Sequence, residues 1–188
     1  MINQIKMKEI LTLIFFVISL TASSQIYYNG EKLYSSRITG KKLGNLLGAY
    51  MTVGLSSAKQ SLIVEGETSE NVIKDKRPEF TFKFGNAKDS LFMDRANMDK
   101  IMLVKIYPKK RLRQLRIGKY GLVAGVQTNA GGNDAIALRV EEDEEHEGVF
   151  TVRPREDLDE GEYCFFYTDK EMVKNASKVY DFSIRREK

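Results

Sequence analysis

The feature that most constrains this chain is a two-residue alternation of apolar side chains along short segments. In the segment EFTFKF, Phe80, Phe82 and Phe84 would lie on one face of an extended strand. Eight further runs, separated by Gly, Pro, Asn and Asp, are rich in β-branched and aromatic residues: 61–65, 71–74, 101–107, 111–117, 135–140, 148–152, 162–167 and 179–184. Short strands at this spacing, without amphipathic helices between them, predict an all-β fold. We expect an immunoglobulin-like antiparallel β-sandwich.

The first 24 residues predict a secretory signal peptide. Lys6 and Lys8 precede an apolar run over residues 10–20, and small residues lead to a cleavage site before Gln25. A retained membrane anchor is the alternative, but a helix needs roughly 20 apolar residues to span a bilayer. We therefore expect an exported protein, periplasmic or extracellular, with no spanning segment after cleavage.

The segment that follows is rich in glycine. Gly40, Gly44 and Gly48 are spaced by four, which would place small residues on one face of a helix. Such a helix could associate with a membrane or with itself. Alternatively, residues 40–58 form a short helix or a glycine-rich strand pair packed on the sandwich. We expect residues 25–59 to be an N-terminal extension and residues 60–188 to be the β-sandwich domain.

Composition excludes several classes of site. A single cysteine and a single histidine among 188 residues exclude an internal disulfide, a Cys-based zinc or iron–sulfur centre and a multi-histidine metal site. We accordingly expect no cofactor. The net charge of +4 is a mild bias that does not by itself argue for nucleic acid, and export argues against nucleic acid as a partner.

Two charged segments are candidate sites. The acidic run could offer Glu141, Asp143, Glu145 and His146 to a divalent cation, although it lacks the spacing of a calcium loop. The alternative is a solvated hairpin tip between two strands. A basic hairpin could bind a polyanion such as lipopolysaccharide or a charged glycan, or its charge could guard an exposed edge. Its residues are Lys109, Lys110, Arg111, Arg113, Arg116 and Lys119.

Three residues near the C-terminus have structural interpretations. Tyr163 follows the turn LDEG and could bond back to it, as in a tyrosine corner. Cys164 is expected to be a buried small hydrophobe, with pairing between molecules as the alternative. Asp181 alternates with its neighbours Tyr180 and Phe182, so it should point to the opposite face of the strand.

Three segments resemble an uncharacterised family of secreted bacterial β-sandwich proteins. They are KRPEFTFKF at residues 76–84, MLVKI at residues 102–106 with the basic strand after it, and VRPREDLDEGEY at residues 152–163 followed by VYDF. The chain has Cys164 where the family usually has alanine, and Glu160 where proline is usual. The resemblance implies an exported β-sandwich and carries no activity with it.

No catalytic motif stands out in the sequence. We therefore expect a non-enzymatic binding or scaffolding module at the cell envelope, with an unidentified protein or glycan partner. Two alternatives remain open. One is a hydrolase or metal-dependent enzyme that uses clustered carboxylates, and the other is an envelope-associated oligomer that assembles through residues 40–58.

Overall fold

The computed structural model describes residues 25–43, 58–84, 95–121, 125–127, 134–167 and 177–186. Within these ranges a 3-10 turn at Arg95–Lys100 accompanies fourteen β-strands, and the all-β prediction is confirmed. The strands are β1 Gln25–Tyr28, β2 Glu31–Lys32, β3 Ser35–Leu43, β4 Ala58–Val64, β5 Val72–Ile73, β6 Phe80–Lys83, β7 Ile101–Lys109, β8 Leu112–Gly121, β9 Gly125–Gln127, β10 Ala135–Ile136, β11 Leu138–Glu142, β12 Val149–Pro154, β13 Gly161–Tyr167 and β14 Lys178–Ile184.

One sheet is open and has five strands, in the order β11-β12-β6-β1-β2. Its neighbours are antiparallel throughout. The predicted alternation in β6 holds, because Phe80 and Phe82 are fully buried while Thr81 and Lys83 face outward. Phe84, just beyond the strand, packs against the same core.

The other sheet has nine strands, and six of them close into a barrel. Its strands follow the order β7-β13-β14-β3-β4-β8, and β8 pairs with β7 again. Closure comes from the two pairings of β7, with β13 over residues 101–106 and with β8 over residues 107–109. Bulges between β3 and β4 and between β4 and β8 add bends. The immunoglobulin-like arrangement is therefore not confirmed.

Three barrel strands, β7, β13 and β14, form a wall shared by two apolar cores. Their outer faces pack on the five-stranded sheet, where Phe80 meets Phe165 edge-on at 5.0 Å between ring centroids and Phe182 at 4.9 Å. Their inner faces fill the barrel with side chains such as Val104 and Cys164, which meet residues of β4 and β8. We call these two regions the inter-sheet core and the barrel interior.

The N-terminal segment is more integrated than the sequence suggests. Residues 25–43, expected to belong to an extension, supply β1 and β2 to the open sheet and β3 to the barrel. The predicted signal peptide and residues 44–57 of the glycine-spaced segment lie outside the described residues. In the part of the chain that the structure describes, no helix is long and apolar enough to cross a membrane.

Candidate functional site

The structure does not bring the sequence-predicted basic residues together. Lys109, Lys110 and Arg111 are exposed at the turn between β7 and β8. The backbone of Lys119 lies opposite Lys59, further along β8.

Arg116 contacts Tyr107 and Asp134, two residues that line a separate cavity. Its guanidinium lies 4.1 Å from the centroid of the Tyr107 ring and pairs with Asp134 at 3.5 Å. The Tyr107 hydroxyl donates to Asp134 at 2.5 Å, and this hydrogen bond raises the pKa of Tyr107 with a further contribution from burial. The cation therefore already has a carboxylate and an aromatic partner.

The prediction that Arg113 belongs to a basic surface is wrong, because this residue is buried. It is fully buried on the same strand face as Leu115 and Ile117, inside the barrel. All five of its N–H groups are used. Nε donates to the carbonyl of Gly66 at 3.2 Å, and one terminal nitrogen donates to the carbonyl of Glu65 at 2.7 Å and to Ser36 Oγ at 3.1 Å. The other terminal nitrogen donates to two carboxylates. None of its donors is left for a polyanion.

The two carboxylates that Arg113 contacts are Glu162, at 3.3 Å, and Asp181. Glu162 Oε1 also accepts from Ser183 Oγ and from Arg185, each at 2.6 Å. Two arginines therefore face two carboxylates, but Arg113 alone is buried with them, since the Arg185 side chain is 45% exposed. Among the described residues, Asp181 Oδ1 is a buried oxygen without a hydrogen-bond partner. Because both carboxylates are buried, this pair does not face solvent in the structure.

The three structural interpretations near the C-terminus are confirmed. The Tyr163 hydroxyl donates to the carbonyl of Asp159 at 2.9 Å. Burial raises the pKa of Tyr163 to about 12. Cys164 is a buried free thiol beside Phe166 in the barrel interior, and burial raises the pKa of this thiol. Asp181 lies on the opposite face of β14 from Tyr180 and Phe182.

The acidic segment forms the tip of the hairpin between β11 and β12. Asp143 Oδ1 accepts from the backbone N–H of Glu145 at 2.8 Å and of His146 at 3.1 Å, while Oδ2 lies 3.1 Å from His146 Nδ1. The Glu145 hydrogen bond is the main reason that the pKa of Asp143 is lowered. Glu141 pairs with Arg139. The described residues contain no group of three or more side chains able to hold a metal ion.

Four arginines gather around one open cavity of about 490 Å³, which we call the arginine cleft. Arg139 of β11 and Arg153 of β12 are direct cross-strand partners on the outer face of the five-stranded sheet. Arg77 comes from the loop before β6, and Arg155 follows β12. Among the described residues, the one further residue that lines the cleft is Pro154.

Each of three cleft arginines has an acidic neighbour at the rim. Arg77 Nε lies 3.6 Å from Asp157, and Arg153 lies 3.8 Å from Glu79. The third pair is Arg139 with Glu141. In these pairs the arginine side chains are 36–59% exposed and the acids 48–65% exposed. Exposed pairs of this kind contribute about 0–1 kcal/mol, so a ligand can displace them at low cost.

Two backbone carbonyls position the side chains of Arg155 and Arg77 in the cleft. Arg155 Nε donates to the carbonyl of Leu138 at 3.2 Å, and Arg77 donates to the carbonyl of Arg155. Sequence reasoning missed the cleft because its arginines come from three separate segments. The usable signal was the predicted hairpin between residues 135–140 and 148–152, whose pairing brings Arg139 opposite Arg153.

No protein-family model, curated protein or solved structure matches the chain.

Proposed function

We propose that this protein is an exported, non-enzymatic binding module that takes anionic groups of an envelope polymer in the arginine cleft. The observation that carries the proposal is the lining itself: four guanidinium groups and one proline around a single open cavity. Export is supported by the N-terminal segment, with its lysines, apolar run and small residues.

The chemistry of the guanidinium group favours binding over catalysis. An arginine side chain stays protonated in proteins, so it offers hydrogen-bond donors and positive charge but does not exchange protons with a substrate. Its planar fork matches the oxygen atoms of carboxylate and phosphate, and sulfate offers the same acceptor chemistry. The cleft is therefore suited to holding an oxyanion.

The balance of charge around the cleft supports the same conclusion. Four arginines face three rim carboxylates, Glu79, Glu141 and Asp157, so the group carries a local charge of about +1 when all are ionised. A ligand oxyanion would replace the rim acids, which can turn into solvent because they are half exposed. Repeated anionic groups would engage Arg139 and Arg153 together.

The test compares three polyanions of different chemistry at low salt: heparin for sulfate, polyphosphate for phosphate and polygalacturonate for carboxylate. Affinity is measured by isothermal titration calorimetry for the parent and for the double variant Arg139→Gln/Arg153→Gln. We expect the double variant to lose at least about tenfold in affinity, since charge-assisted hydrogen bonds contribute about 1.5–3 kcal/mol each. Affinity of the parent should also fall with added salt.

The matched control is Arg111→Gln, which removes an exposed arginine from the β7–β8 turn. It should leave binding nearly unchanged. An equal loss in this control would place the polyanion on the hairpin or make the effect one of overall charge. Failure of the parent to bind any of the three polymers would overturn the proposal.

A further inference from the structure

A second open cavity lies at the margin of the barrel, away from the arginines of the cleft. It is a groove of about 510 Å³ between the start of β3, the loop between β4 and β5, and the first residue of β14. The residues that line it include Tyr34, Arg37, Glu65, Glu70, Asn71 and Lys178.

Tyr34 is an exposed aromatic residue whose backbone is held by two hydrogen bonds. Its relative exposure is 68%, the largest among the exposed large hydrophobic residues of the described chain. Asn71 fixes its backbone from both sides: Asn71 Oδ1 accepts from the Tyr34 N–H at 3.0 Å, and Asn71 Nδ2 donates to the Tyr34 carbonyl at 2.8 Å. The same Nδ2 donates to the carbonyl of Asp181 at 2.7 Å, which ties the loop to β14.

The walls of the groove are anchored from below by the buried Arg113. Its guanidinium bonds Ser36 Oγ from the β3 side and the carbonyls of Glu65 and Gly66 from the loop side. Gly66 has a φ of +81°, a conformation that a residue with a side chain rarely adopts. Both walls are thus held before any ligand arrives, and such preorganisation lowers the entropy cost of binding.

The charges along the groove cancel. Arg37 and Lys178 are balanced by Glu65 and Glu70, in contrast to the excess of arginine in the cleft. A groove of this kind does not select for a charged ligand. It offers donors and acceptors of both kinds beside one aromatic ring, which suits a neutral ligand with many hydroxyl groups and apolar C–H faces.

We propose that this groove binds a neutral oligosaccharide. The Tyr34 ring packs on the C–H face of one sugar unit, while Arg37, Glu70 and Lys178 hydrogen-bond to hydroxyl groups around it. The proposal is independent of anion binding, since the arginine cleft and the groove share no lining residue.

The experiment titrates isotopically labelled protein with short neutral oligomers of glucose, N-acetylglucosamine and mannose, followed by NMR. At least one oligomer should shift the resonances of Tyr34 and Lys178. Tyr34→Ala should weaken its binding by about tenfold or more, whereas Tyr34→Phe, which keeps the ring, should bind within about twofold of the parent. Tyr27→Ala, on the outer face of the other sheet, is the matched control.

Three outcomes would overturn the proposal. One is that none of the oligomers binds at about 10 mM, a concentration well above a millimolar dissociation constant. Another is that Tyr34→Ala binds as tightly as the parent. The third is that the Arg139→Gln/Arg153→Gln variant loses sugar binding, which would place the sugar in the arginine cleft. If that double variant loses polyanion binding but keeps sugar binding, the result supports two separate sites.

Discussion

Arginine serves two different purposes in this molecule. Arg113, in the barrel interior, is fully buried and all five of its N–H groups have partners within the protein. Three of the four arginines of the cleft are partly exposed and paired with exposed acids at the rim. A buried guanidinium must be satisfied by the fold itself, because water is absent. A surface guanidinium is satisfied by solvent and can exchange solvent for a ligand.

The comparison shows why charge alone does not identify a binding site. Arg113 and Arg111 are two residues apart in the sequence, yet one is buried in the barrel and the other is exposed in a turn. Burial and the number of existing partners decide whether a cation can meet a ligand. Substitutions in the barrel interior should therefore change the free energy of unfolding, whereas substitutions in the arginine cleft should change the affinity for a ligand.

The largest effect is expected for Arg113→Ala. Removal of the cation leaves Glu162 and Asp181 buried without their shared partner, and breaking a buried ion pair in this way costs about 3–5 kcal/mol. The free energy of unfolding, measured by urea denaturation, should fall by that amount, whereas Arg111→Ala should change it by less than about 0.5 kcal/mol. A loss below about 1 kcal/mol for Arg113→Ala would contradict the difference in stability that we expect between buried and exposed arginines.

The triple variant Arg113→Met/Glu162→Met/Asp181→Leu extends this test. Replacing all the interacting buried charges with apolar side chains is often neutral or stabilising, so we expect it to recover most of the stability that Arg113→Ala loses. If the triple variant is as unstable as the single one, the loss comes from packing or from the backbone carbonyls of Glu65 and Gly66 rather than from unpaired carboxylates.

A smaller effect is expected for Tyr163→Phe, next to Glu162 on the opposite face of β13. Loss of the hydrogen bond to the Asp159 carbonyl should cost about 1 kcal/mol. Burial raises the pKa of Tyr163 from 10.0 to about 12. The folded state therefore holds this proton more tightly, and the associated stability is complete below pH 10 and lost as the pH rises toward 12. Ultraviolet titration should show a tyrosine that ionises near pH 12 in the parent and is lacking in Tyr163→Phe; ionisation of Tyr163 near pH 10 would contradict this.

In the arginine cleft we expect stability to change very little. Arg139→Gln/Arg153→Gln removes two exposed ion pairs, so its free energy of unfolding should stay within about 0.5 kcal/mol of the parent while polyanion affinity falls. Thermal unfolding and calorimetry on the same samples separate the two quantities. A loss of more than about 1.5 kcal/mol in stability would mean that these arginines hold the sheet together.

The smallest effect belongs to Asp143, at the tip of the β11–β12 hairpin. The backbone N–H of Glu145 lowers the pKa of this carboxyl below 3.8, with smaller contributions from His146. Its contribution to stability is therefore present above pH 3.8 and is lost as the pH falls through the folded value. Carbon-detected NMR should show the low pKa, and Glu145→Pro, which deletes the donor, should raise it. An unshifted value in the parent would contradict the turn geometry.

The sequence predicted the strands better than their assembly. Alternation identified β6 with its buried phenylalanines and placed Asp181 opposite Tyr180 and Phe182. It could not show that the β7–β13–β14 wall belongs to a barrel, because closure depends on β7 pairing both with β8 and with the distant β13. Alternation also gives the two faces of β8 without saying which face is buried, and that choice decided the position of Arg113.

The sequence predicted the basic character of the candidate site but not its location. A basic surface for an anion was expected, but it was placed on the β7–β8 hairpin, where the positive residues are close in sequence. The arginine cleft instead forms through the cross-strand pairing of Arg139 with Arg153 and two flanking loops. Pairing register and loop position are long-range properties, and local patterns do not contain them.

The shared wall gives β13 an unusual intolerance to changes in length. Tyr163 and Phe165 belong to the inter-sheet core, while Glu162, Cys164 and Phe166 belong to the barrel interior. Inserting or deleting a single residue at the start of this strand would exchange the contents of the two cores, sending tyrosine and phenylalanine rings into the barrel and a carboxylate between the sheets. We therefore expect β13 to accept substitutions, whereas changes in chain length should be accepted only in the loops.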